Sequence, residues 1–212
     1  MEMRTDLRNL DRQGLIRFVE ELGQPAFRGR QMMPWLYRPG ITDIEEMDRS
    51  IGQFLDFART DGGEPPEEIE MAALLEEIAG QYGRRGNEIT AVTGGVSPRL
   101  TLRPKAIRRA LGNLIDNALR HAGADQPIEL ALLVQDGKCA IEVRDRGPGI
   151  PPDEVERLKL PFTQMQSART GAIGTGLGLA IVDRIARSQG GQLDLLPRDG
   201  GGLVARITLP IR

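Results

Sequence analysis

Cysteine and histidine are almost absent from this chain, and each shortage closes off a chemistry. One cysteine, Cys139, excludes an internal disulfide and any multi-cysteine zinc or iron-sulfur site. One histidine, His121, excludes a His-His metal pair and leaves a single imidazole among 212 residues. Long apolar runs are missing too: stretches such as 131–134 and 179–182 fall far short of the roughly 18 to 20 residues that cross a bilayer. The opening Met1-Glu2-Met3-Arg4 carries neither an apolar core nor a cleavage signal, so a cytoplasmic location is expected.

What remains, 40% hydrophobic and 27% charged residues, describes a globular chain of one or two domains. The net charge of -2 is unevenly spread. Residues 1–41 carry seven arginines against five acids, residues 42–80 two against twelve, and residues 81–212 nineteen basic residues against thirteen acids. Phe18, Phe27, Trp35, Tyr37, Phe54 and Phe57 crowd the first part, leaving Tyr82 and Phe162 for the rest. Two pieces with different packing styles are implied.

In the first piece, Leu7, Leu10, Leu15, Phe18, Val19 and Leu22 recur at near-helical spacing before Gly23. A second short helix is expected over Phe27–Tyr37. Ile44, Met47, Ile51, Phe54 or Leu55, and Ala58 form a near-heptad seam over 43–60, suited to packing on another helix or on a second copy. Asp61-Gly-Gly-Glu-Pro-Pro66 reads as a linker.

Beyond it, helices are expected over Leu74–Tyr82, Lys105–His121 and Gly176–Gln189, and short strands over Glu88–Val92 and Leu100–Leu102. Ile128–Val134 and Cys139–Val143 form a hairpin through Asp136-Gly137; Gln192–Leu196 and Leu203–Leu209 form another around Asp199 and three glycines. Helices alternating with antiparallel hairpins predict an α+β fold, a two-layer α/β sandwich with a small N-terminal helical segment.

Three motifs can carry chemistry. Asn113 and Asn117 stand four apart, so both carboxamides project from one face of their helix, opposite Ile107, Leu111, Leu114, Ile115 and Ala118. Amide oxygens suit Mg²⁺, whose other ligands are commonly water and nucleotide phosphate; two solvated polar residues are the plainer reading. Asp145-Arg-Gly-Pro-Gly149 follows a strand, where a fixed carboxylate can accept a hydrogen bond from an exocyclic amine such as adenine's. Taken alone it reads as a turn. Gly174-Thr-Gly-Leu-Gly178 runs into a helix whose first N–H groups attract phosphate. It lacks the Gly-Lys-Ser/Thr of a Walker A loop, and no strand directly precedes it as a dinucleotide fingerprint requires.

The order and spacing of these motifs, with Pro161-Phe162 between the last two, resemble the catalytic ATP-binding domain of sensor histidine kinases, in the GHKL superfamily that also holds gyrase, Hsp90 and MutL. The likeness covers about 63–212 and extends back over the 43–60 helix. It is nearest the osmosensor (EnvZ-like) type through 53–60, Ser167-Ala-Arg-Thr170 and Gly174–Val182. The resemblance implies the Bergerat fold, with ATP and Mg²⁺ as cofactors. Asn117 and Asn113 would bind the metal, with Arg120 and His121 beside the phosphates. Asp145 would read the adenine amine in a pocket lined by Gly147, Gly149 and Ile150. Phe162 would be the surviving aromatic of the F box, and 163–173 the lid over ATP, with Arg169 and Thr170 toward the phosphates. Gly174, Thr175, Gly176, Leu177, Gly178 and Leu179 would form the second glycine box.

The chain departs from the family pattern at Lys159, in place of the first F-box aromatic, and at Gln164, in place of a basic residue. Position 113 also sorts branches. The hydrolytic members carry a glutamate there as general base, and an asparagine cannot take that proton, so the kinase branch is favoured over rapid hydrolysis.

A kinase of this type also has a dimerisation hairpin whose first helix bears the phosphoaccepting histidine. Only the second helix is recognisable here, as 43–60. Residues 6–47 instead resemble the N-terminal accessory domain of RlmN-type ribosomal RNA methyltransferases, through 10–14, 21–31, 35–37 and 41–47. With one cysteine the chain cannot supply that family's Cys-x-x-x-Cys-x-x-Cys cluster, which excludes its methyl transfer. The expected organisation is a helical segment over 1–41, a dimerisation-type helix and linker over 42–62, and the ATP-binding domain over 63–212, in a hybrid sequence.

The expected activity is donation of the ATP γ-phosphate to a histidine supplied in trans, on a dimerisation domain, with a response regulator as further partner and dimerisation through 43–60. The alternatives are a non-catalytic ATP-responsive module, or an RNA-binding adaptor built on the first 40 residues. A charge of +2 there is a feeble footprint for nucleic acid, and a helical cap on the 43–60 seam is the preferred reading.

Overall fold

A computed structural model describes residues 11–21, 64–95, 97–122, 126–161, 163–165 and 176–211. The chain divides into two compact units, Met1–Gly62 and Gly63–Arg212. In the first, helix α1 spans Arg12–Glu21. Asp11 caps it, its Oδ1 accepting from the Gly14 N–H at 2.7 Å. The helices expected over 27–37 and 43–60 lie outside the described residues.

The second unit runs β1 (Glu67–Glu70), α2 (Met71–Gly83), β2 (Ile89–Val92), β3 (Arg99–Leu102), α3 (Pro104–Ala122), β4 (Ile128–Gln135) and β5 (Lys138–Arg144). A 3-10 turn at Pro152–Glu154 leads into the short α4 (Val155–Leu158), followed by α5 (Gly178–Ser188), β6 (Gln192–Pro197) and β7 (Leu203–Pro210). The main sheet has the order β2-β4-β5-β7-β6. Strand burial alternates: Cys139, Ile141 and Val143 of β5, and Leu203, Ala205, Ile207 and Leu209 of β7, are buried beneath the helices. The α+β two-layer sandwich expected from the sequence is the architecture observed.

Two differences stand out. The sheet is not built from hairpins alone, because β2 runs parallel to β4, with Ile89 opposite Ile128. A parallel neighbour requires a crossover, which α3 supplies. The strand at Arg99–Leu102 leaves the main sheet and pairs antiparallel with β1, a strand of sequence Glu-Glu-Ile-Glu.

Helix α3 shows how the sequence sets the site. Pro104 opens it, where its missing N–H costs nothing, and the Glu64 carboxylate accepts from the Lys105 and Ala106 N–H groups at 2.8 and 3.3 Å. Ile107, Ala110, Leu111, Leu114, Ile115 and Ala118 recur at three- and four-residue spacing and are all buried. Truncating one of the larger of these to alanine costs about 2–5 kcal/mol. Helix α5 packs beside it and buries Ala180, Ile181, Val182, Ile185 and Ala186. Cys139 lies in the core, where burial pushes its thiol pKa up to about 11.

Candidate nucleotide site

Asp145 directly follows β5 and is 5% exposed. Its N–H donates to the Leu203 carbonyl at 3.0 Å. Its Oδ1 accepts from the N–H groups of Gly147 at 2.7 Å and Leu203 at 3.3 Å. One carboxylate oxygen is thus committed to the protein backbone, and the other has no hydrogen bond among the described residues. Gly147 has no room for a side chain: a β-carbon would lie 2.9 Å from the His121 carbonyl oxygen. The loop after β5 therefore seats directly on the C-terminal turn of α3. Gly149 adopts a left-handed φ of 72°, and the half-buried Ile150 follows it.

On α3, the Asn113 Nδ2 donates to the Arg109 carbonyl at 3.0 Å. Its Oδ1 lies toward the start of α5, where a β-carbon on Gly178 would be 3.7 Å away. Asn117 is half-buried one turn further on. Arg120 and His121 occupy the last turn, at the negative end of the helix dipole. Partial desolvation, and then the neighbouring Arg120, hold the His121 pKa below its ordinary value, against a smaller opposing pull from Asp145.

The described part of the third motif, 176–178, meets Asn113 at the start of α5. Gly176 has a φ of 68°, which keeps it out of the helix; the helix therefore starts at Gly178 rather than at 176. Leu177, 1% exposed, anchors the entry, and the first helical bond runs from the Ile181 N–H to the Leu177 carbonyl. The N–H groups of the first turn have no acceptor within the helix and lie at its positive end, a setting suited to phosphate. Leu179 is half-buried behind them. Phe162, Arg169, Thr170, Gly174 and Thr175 lie outside the described residues. Lys159 ends α4, its Nζ 2.7 Å from Glu156, and the Gln164 carbonyl accepts from Arg157 at 3.1 Å.

Sequence reasoning treated Asp199-Gly-Gly-Gly202 only as a turn, yet this turn walls the Asp145 loop. A β-carbon on Gly202, φ 114°, would overlap the Asp145 carbonyl oxygen and lie 2.9 Å from its carbon. Arg146 donates to the carbonyls of Asp199 and Gly201 at 3.0 and 3.4 Å. Three consecutive glycines exceed what a hairpin turn needs, and that excess was the available signal.

A five-stranded sheet covered by helices, with the three motifs converging beside α3, defines a mixed α/β domain of the ATP-binding sandwich class. Residues 103–212 match the family described as histidine kinase-, DNA gyrase B-, and HSP90-like ATPase, and the chain belongs to that family. Residues 5–51 match the N-terminal domain of ribosomal RNA large subunit methyltransferases. The sensor protein CutS of Streptomyces coelicolor is 42% identical over 107 residues, covering 50% of this chain and 26% of CutS. The histidine-protein kinase/phosphatase MprB of Mycolicibacterium smegmatis is 32% identical over 204 residues, 95% of this chain and 41% of MprB.

The solved mycobacterial MprB structure superposes with a TM-score of 0.60 at 25% identity, covering 69% of this chain and 98% of that one. The histidine kinase domain of the E. coli osmosensor EnvZ gives 0.55 at 34% identity, over 72% and 93%. The domain is accordingly the ATP-binding catalytic domain of a sensor histidine kinase. The chain spans less than half the length of these curated relatives. Among the described residues no helix is long and apolar enough to cross a membrane.

Proposed function

We propose that this chain binds Mg-ATP between α3, the Asp145 loop and the start of α5, and donates the γ-phosphate to a histidine carried by a separate dimerisation domain. The observation that carries this reading is Asp145. Its Oδ1 is fixed by two backbone N–H groups, which leaves Oδ2 to accept a hydrogen bond from the adenine amine. Gly147, Gly149 and Ile150 border that position, and the N–H groups at Gly178 and Leu179 face the phosphates. By the family resemblance, Arg169 and Thr170 would belong to the segment covering ATP, Phe162 to the F box before it, and Gly174 and Thr175 to the second glycine box.

The carboxamide oxygens of Asn117 and Asn113 are the hard, neutral donors that Mg²⁺ accepts alongside phosphate oxygens. When bound, the metal would supply charge neutralisation at the phosphates. The chain's residues do the rest by position: Asp145 orients the base, the α5 start and Arg120 hold the phosphates, and no protein nucleophile is needed. The attacking histidine nitrogen forms a bond to the γ-phosphorus as the bond to the ADP oxygen breaks. Such a domain works where ATP is abundant, in the cytoplasm, and a response regulator would receive the phosphoryl group.

His121, the only histidine of the sequence, occupies the last turn of α3, beside the proposed phosphates, so in this reading the acceptor is a histidine outside these 212 residues. Residues 43–60 would provide a dimerisation-type helix and 1–41 a helical segment joined to it, in a hybrid arrangement. The test mixes the protein with a hairpin bearing a phosphoaccepting histidine and radiolabelled ATP. Acid-labile phosphate on the hairpin is expected only with both present. Nucleotide binding without transfer would instead indicate an ATP-responsive binding module.

A further inference from the structure

The turn between β6 and β7 and the loop after β5 hold each other by two arginines pointing in opposite directions. Arg146 reaches out to the carbonyls of Asp199 and Gly201. Arg198 reaches back: its Nη1 donates to the Asp145 carbonyl at 3.3 Å, and its Nη2 donates to Glu129 Oε2 at 2.6 Å. The Arg198 side chain is 12% exposed. Glu129 is held from its other side by Arg144, at 2.9 Å. Desolvation would raise the Glu129 pKa, but the hydrogen bonds from Arg144 and Arg198 outweigh it and hold it low, so the carboxylate stays charged as an anchor at neutral pH.

The carbonyl that Arg198 grips belongs to the Asp145–Arg146 peptide plane. The orientation of that plane sets the direction of the chain into Gly147, whose N–H fixes Asp145 Oδ1. Gly202 lies against the same carbonyl, where any β-carbon would overlap it. The guanidinium fork suits this double duty, because its donors diverge at fixed angles toward two acceptors, one on β4 and one in the loop after β5. Lysine has one ammonium head on a flexible stem, and glutamine is too short to span both.

We infer that Arg198, buttressed by Glu129, is a positioning residue for base selection: it holds the Asp145 peptide so that the carboxylate meets the 6-amino group of adenine. This rests on the reading of Asp145 as the adenine acceptor. Arg198 touches no nucleotide atom in this scheme and acts through Asp145.

The test compares binding of ATP with that of the triphosphate of unsubstituted purine ribonucleoside, which lacks the 6-amino group, in the full chain. The wild type should prefer ATP. In Arg198→Gln that preference should fall by about tenfold, the worth of a hydrogen bond to a charged group, with little change in affinity for the purine analogue. Glu129→Gln should give a smaller loss in the same ratio, and Arg198→Lys should not restore it. Equal weakening of both nucleotides, or an unchanged ratio in a folded Arg198→Gln protein, would overturn the inference. If Arg198→Gln fails to fold, the ratio in Glu129→Gln decides by the same criterion. A wild type with no preference for ATP would instead overturn the reading of Asp145 itself.

Discussion

Asn113 and Gly178 meet where α3 and α5 pack side by side: a β-carbon at Gly178 would lie 3.7 Å from the Asn113 carboxamide oxygen. This contact brings the asparagine motif to the helix start proposed to hold phosphate. It also separates fold from function at one residue. Gly178→Ala fits without overlap and favours the helix, by up to about 0.5–1 kcal/mol, yet it adds a methyl group where the phosphates and metal would approach. The thermal midpoint should hold or rise while Mg-ATP affinity falls, as differential scanning fluorimetry with and without nucleotide would report.

Asn117 should affect the metal-dependent part of binding alone. In Asn117→Ala, ATP affinity measured with Mg²⁺ should drop toward that measured with EDTA, with the EDTA value close to wild type. Isothermal titration in the two buffers checks this. A variant that keeps its full Mg²⁺ response would remove Asn117 from the metal site.

Glu142 is 1% exposed although it sits on the sheet face away from the helices. It is covered by Arg144 and Arg206, each 2.6 Å from one of its carboxylate oxygens. These arginines reach solvent, at 27% and 36% exposure, so they can rehydrate when Glu142 is removed. Glu142→Ala should therefore cost about 2 kcal/mol, less than breaking a fully buried pair. Urea unfolding should show a lower midpoint at unchanged slope.

His121 gives a pH dependence with a defined sign. Its folded pKa lies below its ordinary value of 6.5, so the unfolded chain binds more protons in the window beneath 6.5. Stability contributed by neutral His121 is present above that value and is lost as pH falls through the folded pKa. Wild-type stability should decline more steeply than that of His121→Gln as pH is lowered through this window. Parallel slopes in denaturant titrations at several pH values would contradict the assignment.

Much of this was legible in the sequence, and the exceptions share a cause. Helix α3 announced itself because Ile107, Leu111, Leu114, Ile115 and Ala118 repeat locally, and the β4–β5 hairpin because Asp136-Gly137 takes the left-handed turn, at φ 51° and 70°. Strand β1 did not, because three of its four residues are glutamates with little strand preference; only pairing with β3, some 30 residues on, makes it a strand. The parallel β2–β4 pair was equally hidden, since adjacent hairpins are the local signal and a crossover through α3 is not. Arg198 lies 53 residues from Asp145 and 69 from Glu129, and no spacing rule joins them. The chemistry-bearing motifs were readable because each is short; the residues that hold them in place come from across the sheet.

Titration with a fluorescent ATP analogue, in the wild type and in Asp145→Asn, tests the nucleotide site most directly. An asparagine can still accept from the Gly147 and Leu203 N–H groups, so the fold should persist. Its amide nitrogen would, however, present a donor to the adenine amine where a carboxylate oxygen had been the acceptor. The wild type should bind saturably with ATP as competitor, and the variant should lose about tenfold to a hundredfold in affinity. Undiminished binding by a folded Asp145→Asn protein would contradict the account.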